Sequence, residues 1–258
     1  MSVKLTFLGT GTSQGVPIIA CQCRVCQSAQ EKDKRYRASA FVQMDGLNIL
    51  IDAGPDFRSQ MLRQDIRHLD AILLTHNHKD HTGGLDDVRS FNYLEKRSFP
   101  IFCEAHVLES LKKEYYYVFQ EKPYPGAPEM DIHLITSLPF DIEGTPVIPI
   151  RAMHYKLPIL GFRFGDCAYL TDANYIPDSE FEKLQGLDLF VLNTVKRGHH
   201  ISHYALEEAI DICRRVGARR SYLTHLSHML PRHAELTQEL AALPFSLQPA
   251  YDGLTVAF

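Results

Sequence analysis

Apolar and polar residues alternate along this chain in two registers, one of short runs and one of helical spacing. Runs with strand character recur at Val3–Leu8, Ala40–Met44, Asn48–Ile51, Ala71–Thr75, Pro100–Cys103, Pro146–Ile150, Gly161–Phe164, Cys167–Thr171, Leu187–Asn193, Arg220–Thr224 and Leu254–Phe258. Helix-like stretches lie between many of them, at Asp56–Gln64, Asp86–Leu94, Ala105–Val118, Asp178–Leu184, His203–Val216 and Pro231–Leu240. The stripe is clearest in His203–Val216, where Leu206, Ala209, Ile210 and Cys213 share a face that Glu207, Glu208, Asp211 and Arg214 largely avoid. Such a helix is expected to pack on a sheet, and the whole pattern predicts an α/β protein. Gln120–Met130 breaks it with Pro123, Pro125 and Pro128, which predicts an irregular loop, either a lid or a plain surface connection. No linker or repeat is visible, so residues 1–258 are expected to form a single layered domain.

Composition narrows the class. With 45% hydrophobic and 22% charged residues, the 258-residue chain has the balance of a globular protein with a sizeable core. Its 27 Lys+Arg against 31 Asp+Glu leave a formal charge of −4, which argues against attachment to nucleic acid or an anionic membrane by bulk charge. A stable nucleic-acid complex is not expected. No run approaches the roughly 18 apolar residues of a membrane helix, and the N-terminus lacks a basic leader with an apolar core, so a cytoplasmic protein without a membrane partner is expected. Three of the six cysteines are bunched at Cys21, Cys23 and Cys26, and the others are scattered at Cys103, Cys167 and Cys213. In a chain of this size that distribution suggests a ligand cluster plus buried thiols more than a disulfide framework.

The strongest chemical signal follows the apolar run Ala71–Thr75: His76-Asn77-His78-Lys79-Asp80-His81, then Thr82-Gly83-Gly84. Four metal-competent side chains within six residues, at the end of a buried strand, can converge on a small volume. A two-metal site needs further ligands, and other strand ends offer them. Asp172 closes Tyr169-Leu-Thr-Asp, His225 closes Tyr222-Leu-Thr-His, and His154 follows the run Pro146–Ile150. Singly, each would more often be a capping acid or a hydrogen-bonded histidine. Together they complete a set whose imidazoles and carboxylates suit Zn²⁺, Mn²⁺ or Fe²⁺, and two such ions about 3.5 to 4 Å apart can share a hydroxide at neutral pH.

With these residues the sequence resembles the metallo-β-lactamase superfamily. It is most similar to the PhnP-type phosphodiesterases, from Gly9-Thr-Gly-Thr12 to the C-terminus. The resemblance implies a four-layer αβ/βα sandwich with two catalytic divalent metals at one edge. His76, His78 and His154 would hold one metal, Asp80, His81 and His225 the other, and Asp172 would bridge them. It also implies a homodimer and a small phosphodiester substrate, such as a ribose cyclic phosphate or a 2′,3′-cyclic nucleotide, opened by a metal-bridging hydroxide that Asp80 would help orient.

Cys21-x-Cys23-x-x-Cys26 offers three sulfurs, and structural zinc commonly takes three cysteines and a histidine. His228, three residues beyond His225, is the candidate fourth partner, and the same resemblance implies that zinc site; unligated thiols or a redox pair are the alternatives. His203, before a predicted helix, is the candidate proton donor to the leaving oxygen or contact to the phosphate, with a merely packed histidine as the other reading. His200 is a candidate for orienting substrate. Two other activities are compatible with the scaffold. A tRNA 3′-processing endoribonuclease would want a basic arm, which the sequence does not offer. A non-hydrolytic accessory protein of the pyrroloquinoline-quinone type would be expected to lose some of the seven ligands, and all are present here.

Overall fold

The computed structural model describes residues 3–258. Strands β1 (Lys4–Gly9), β2 (Ser39–Met44), β3 (Leu47–Ile51), β4 (Ala71–Leu73), β5 (Phe99–Cys103) and β6 (Met130–Leu134) build a first sheet. The second comprises β7 (Phe140–Ile142), β8 (Thr145–His154), β9 (Leu157–Phe164), β10 (Cys167–Tyr169), β11 (Leu189–Asn193), β12 (Arg220–Thr224) and β13 (Leu247–Pro249). The last strand, β14 (Thr255–Ala257), returns to the first sheet beside β1, so the orders are β14-β1-β2-β3-β4-β5-β6 and β13-β12-β11-β10-β9-β8-β7. Each sheet is antiparallel on one side and parallel on the other, the parallel strands being β3 to β6 and β10 to β13.

Period-two alternation explains the layering. Leu5, Phe7, Ala71 and Leu73 of the first sheet meet Phe162, Phe164, Tyr169, Leu189 and Val191 of the second in one buried core. The intervening residues face outward under helices. Leu8, Leu50, Ile72 and Ile101 pack beneath α1 (Phe57–Arg63), α3 (Arg89–Glu95) and α4 (Ala105–Glu114). Ala168, Leu170, Phe190, Leu192 and Leu223 pack beneath α5 (Leu206–Val216) and α6 (His233–Leu240). The result is a helix–sheet–sheet–helix sandwich, the predicted architecture.

Local differences have local causes. Residues 130–134, 140–142 and 247–249 are strands that the sequence pattern does not predict; they are three to five residues long, polar in part, and gain their partners only at or beside a sheet edge. Strand β8 runs four residues past the predicted Ile150, because its pairing with β9 continues to His154↔Leu157. The segment predicted as a helix over 178–184 is a 3₁₀ helix, and α5 begins at Leu206 rather than His203. Among the described residues no helix is long and apolar enough to cross a membrane.

Candidate metal centre

The carboxyl ends of the parallel strands open on one edge of the sandwich, and four of them contribute a polar residue to the site within three positions of their ends. Asp52 follows β3, His76 follows β4, Asp172 follows β10 and His225 follows β12, while His154 ends β8. Asp52, Asp172 and His225 sit at φ of +62°, +63° and +55°, left-handed conformations that cost on the order of 1–3 kcal/mol each in non-glycine residues. That strain turns the backbone sharply and aims the side chains over the sheet edge. Next to them, the short helix α2 (Lys79–Thr82) presents Asp80 and His81, with His78 at its N-terminal cap.

Two donor sets result. His76, His78 and His154 bring ring nitrogens within 4.8 Å of one another, and Asp80, His81, Asp172 and His225 do the same with nitrogens and carboxylate oxygens. Asp172 Oδ2 is 3.2 Å from His81 Nε2 and its Oδ1 3.0 Å from His225 Nε2, and Asp172 also lies within 4.8 Å of a ring nitrogen of His154, which joins the sets. The tautomers are dictated by the outer contacts. His154 Nδ1–H donates to the Ser202 carbonyl (2.7 Å), and His81 Nδ1–H donates to Asp52 (2.7 Å). His76 Nδ1–H donates to Thr75 Oγ1 (2.9 Å), whose own proton goes to Asp52 (2.8 Å). Each ring is thereby left with an Nε2 lone pair aimed inward, the arrangement in which ligating histidines are held by partners behind them.

Charge points the same way. His76 and His78 are pushed down by burial and then by neighbouring imidazoles, which favours the neutral, ligating form. His225 is lifted to about 9: burial opposes its charge, but Asp172 and Asp80 outweigh it. His81 is raised for the same reason by Asp172, Asp52 and Asp80. Burial also opposes the charge on Asp80 and Asp172, yet both carboxyls lie below the usual range because His81 and His225 sit against them. A cluster of buried carboxylates thus requires positive charge at its centre. The unpaired Nε2 atoms of His76, His81 and His225 converge there, so the donor set fits divalent cations.

His203 stands beside this centre, three residues ahead of α5, with Nδ1 3.7 Å from Asp172 Oδ1 and buried without a hydrogen-bond partner. Its ring stacks against His225 at 4.8 Å, and burial followed by the charge of His225 pushes its pKa down to about 3. His200 is 5.0 Å from the His203 ring, and both line a cavity of about 180 Å³ together with Thr12, Ser13, Gln14 and Ser227. A larger apolar groove of about 320 Å³ between α1 and α3 lies on the outer helical layer, away from these residues.

The cysteine loop reaches the same region from the other side. Cys21, Cys23 and Cys26 place their sulfurs 3.3, 3.5 and 3.6 Å from His228 Nδ1, and none forms a disulfide. A tetrahedral zinc with Zn–S of about 2.3 Å and Zn–N of about 2.05 Å would set nitrogen and sulfur about 3.6 Å apart, so this donor set fits such an ion. The backbone N–H of Cys26 lowers the Cys23 thiol to about 6. The other cysteines are interior, with Cys103 and Cys213 pushed up to about 12 by burial.

All the predicted ligands and both pocket histidines therefore meet in space. Three further residues were not singled out by sequence reasoning: Asp52 and Thr75 behind the histidines, and Asn193, which hydrogen-bonds Ala173 beside Asp172. Asp52 had a signal, since Ile49-Leu-Ile-Asp52 repeats the strand-then-acid pattern of Asp172; Thr75 and Asn193 had none, being polar residues at the ends of predicted strands.

Comparison with known proteins is consistent across sequence and structure. Residues 47–226 match the model of the beta-lactamase superfamily domain. A crystal structure described as a new diphosphatase from the PhnP family shares 39% identity and superposes with a TM-score of 0.92, covering 100% of this chain and 98% of that one. Zinc-bound PqqB from Methylobacterium extorquens, at 19% identity and a TM-score of 0.80 over 99% of this chain and 100% of its own, shares the fold. An octanoyltransferase of Porphyromonas gingivalis (strain ATCC BAA-308 / W83) is 43% identical over 255 residues, which are 98% of this chain and 51% of that one. The chain thus spans about half the length of that relative.

Proposed function

The chain belongs to the metallo-β-lactamase superfamily and, within it, to the PhnP family, and on that premise we propose that this hydrolase is a two-metal phosphodiesterase acting on small diesters such as ribose cyclic phosphates or 2′,3′-cyclic nucleotides. The convergence of seven imidazole and carboxylate side chains on one sheet edge carries the proposal. In this reading His76, His78 and His154 would hold one ion, Asp80, His81 and His225 would hold the other, and Asp172 would serve both. Bound zinc, manganese or iron ions would supply a hydroxide nucleophile near neutral pH and offset the charge on phosphorus. Asp80 would also help to orient the attacking oxygen.

His203 serves the leaving group. Burial keeps it neutral at rest. An anionic phosphodiester brought against it would favour uptake of a proton from solvent, which His203 would then pass to the departing oxygen. His200 and the hydroxyl and amide groups of the adjoining cavity orient the rest of the substrate. Cys21, Cys23, Cys26 and His228 would hold a structural zinc, which would tie the N-terminal loop to the segment carrying His225.

A second reading is hydrolysis of a phosphoric anhydride, favoured by the diphosphatase description of the 39%-identical structure. Octanoyl transfer is not proposed, because this chain covers only 51% of that relative. The test is a panel of bis(p-nitrophenyl) phosphate, 2′,3′-cyclic nucleotides and nucleoside diphosphates with protein loaded with Mn²⁺ or Zn²⁺, beside Asp172→Ala. Turnover of the diesters that disappears in the variant supports the phosphodiesterase. Turnover of the diphosphates alone moves the assignment to the anhydride, and activity that survives in Asp172→Ala refutes both.

A further inference from the structure

The end of β11 carries a buried amide that neither metal set uses. Asn193 is fully buried, and its side chain grips both polar groups of one residue: Ala173 N–H donates to Asn193 Oδ1 (2.7 Å), and Asn193 Nδ2–H donates to the Ala173 carbonyl (2.9 Å). Ala173 directly follows Asp172, the carboxylate common to both sets. The same Ala173 carbonyl also accepts from the backbone N–H of Tyr204 (2.8 Å), the residue after His203, and the Tyr204 carbonyl accepts from Val195 N–H (3.3 Å). One residue past β11, Thr194 N–H donates to the carbonyl of Thr224, the neighbour of His225.

We infer that Asn193 is a positioning residue that sets the spacing between the shared carboxylate Asp172 and the proton donor His203. This inference rests on the acid role proposed for His203. Asp172 is held in a left-handed conformation that its own backbone does not favour, and His203 lies in a segment without helix or strand. The adjacent Thr171 hydroxyl donates to the Asp172 carboxylate (2.6 Å), but that bond does not reach His203. Both are referenced to the Ala173 peptide, and Asn193 is the only side chain hydrogen-bonded to that peptide among the described residues. An asparagine suits the task because it offers one acceptor and one donor in the order that a single residue's N–H and C=O require. An aspartate has the same shape but turns a second acceptor toward the Ala173 carbonyl.

The consequence is a selective defect. A misaligned acid matters when the leaving group is a poor one and hardly matters when it is p-nitrophenolate, which departs without a proton. With Mn²⁺-loaded protein, Asn193→Asp is expected to lose ~10- to 100-fold in kcat on 2′,3′-cyclic AMP, within the range of general-acid catalysis, and under about 5-fold on bis(p-nitrophenyl) phosphate. KM values should change little, and metal stoichiometry by elemental analysis should match the parent. Asn193→Thr, which keeps one hydrogen bond and suits a strand, should show the same selectivity in weaker form and serves if the aspartate variant does not fold. His203→Ala is the reference. Selective loss in His203→Ala and in an Asn193 variant upholds the inference. Selectivity in His203→Ala with equal losses on both substrates, or lost metal, in the Asn193 variants overturns the inference alone. Equal losses on both substrates in His203→Ala overturn the acid role, and the inference with it.

Discussion

Replacing Asp52 with asparagine should weaken both metal sites at once, although Asp52 belongs to neither donor set. Its carboxylate accepts from His81 Nδ1 at 2.7 Å, and from the Thr75 N–H and hydroxyl at 2.9 and 2.8 Å, and through that hydroxyl it steadies His76. One ligand of each set is therefore oriented by the same buried anion. An amide cannot satisfy these contacts, because whichever way it is turned its NH₂ meets a donor, from Thr75 on one side or His81 on the other. Loss of such an outer partner lowers metal affinity about 10- to 100-fold, or about 1.4–2.7 kcal/mol per ion. A stranded buried donor should further cost the metal-free fold about 1–3 kcal/mol. Competition against a chromophoric chelator reads the affinities, and urea unfolding of the metal-free protein reads the stability. Thr75→Val sharpens the comparison, since it cuts the relay to His76 but leaves His81 on Asp52; it should weaken the His76 set more than the other. If Asp52→Asn lowers the stability of the metal-free protein and leaves both metal affinities unchanged, the reasoning fails.

Three other perturbations have defined outcomes. Cys23→Ser should reduce the zinc content by one ion per chain, lower the melting temperature and reduce occupancy of the His225 set; unchanged zinc stoichiometry by elemental analysis would contradict the cysteine assignment. A Cβ on Gly54 would lie 2.0 Å from the backbone carbonyl of Asp80, so Gly54→Ala should displace α2, cost at least the roughly 1–3 kcal/mol of an overpacked site, and lower metal uptake in a binding titration. His233 is lowered to about 4 by burial and then by the nearby Arg35, whose guanidinium lies 3.4 Å from its Nδ1. Its unfolded form takes a proton at higher pH than its folded form, so its contribution to stability is present above about 6.5 and is lost as the pH falls toward about 4. His233→Gln should flatten that limb of a stability-against-pH curve measured by urea unfolding, whereas an unchanged slope would show that His233 does not titrate with folding.

The chemistry of the centre was legible because metal ligation demands particular residue types, and the turns after buried strands concentrate them. His76 to His81 announce themselves by density; Asp172 and His225 do so by repeating the same apolar run ending in Leu-Thr before a ligand. The central strands were readable for a related reason, since Ala71–Leu73 and Leu189–Asn193 are buried on both faces and so are apolar almost throughout. Edge segments such as Met130–Leu134 and Leu247–Pro249 were not, because a strand exposed on one side carries the composition of a loop until a neighbour pairs with it.

Residue identity alone determined which groups on this chain can hold cations, and the two-period pattern determined that they ride on stacked sheets. Folding in three dimensions decided how those groups are held. Asp52 became the common support of His81 and His76 only because β3 lies beside β4, and Asn193 came to face Ala173 only because β11 lies beside β10. Hydrogen bonds of this sort join residues about 20 or more positions apart, and no local preference marks either partner. Ligand type is a property of a side chain, whereas orientation belongs to the packed neighbours that leave it one tautomer and one direction.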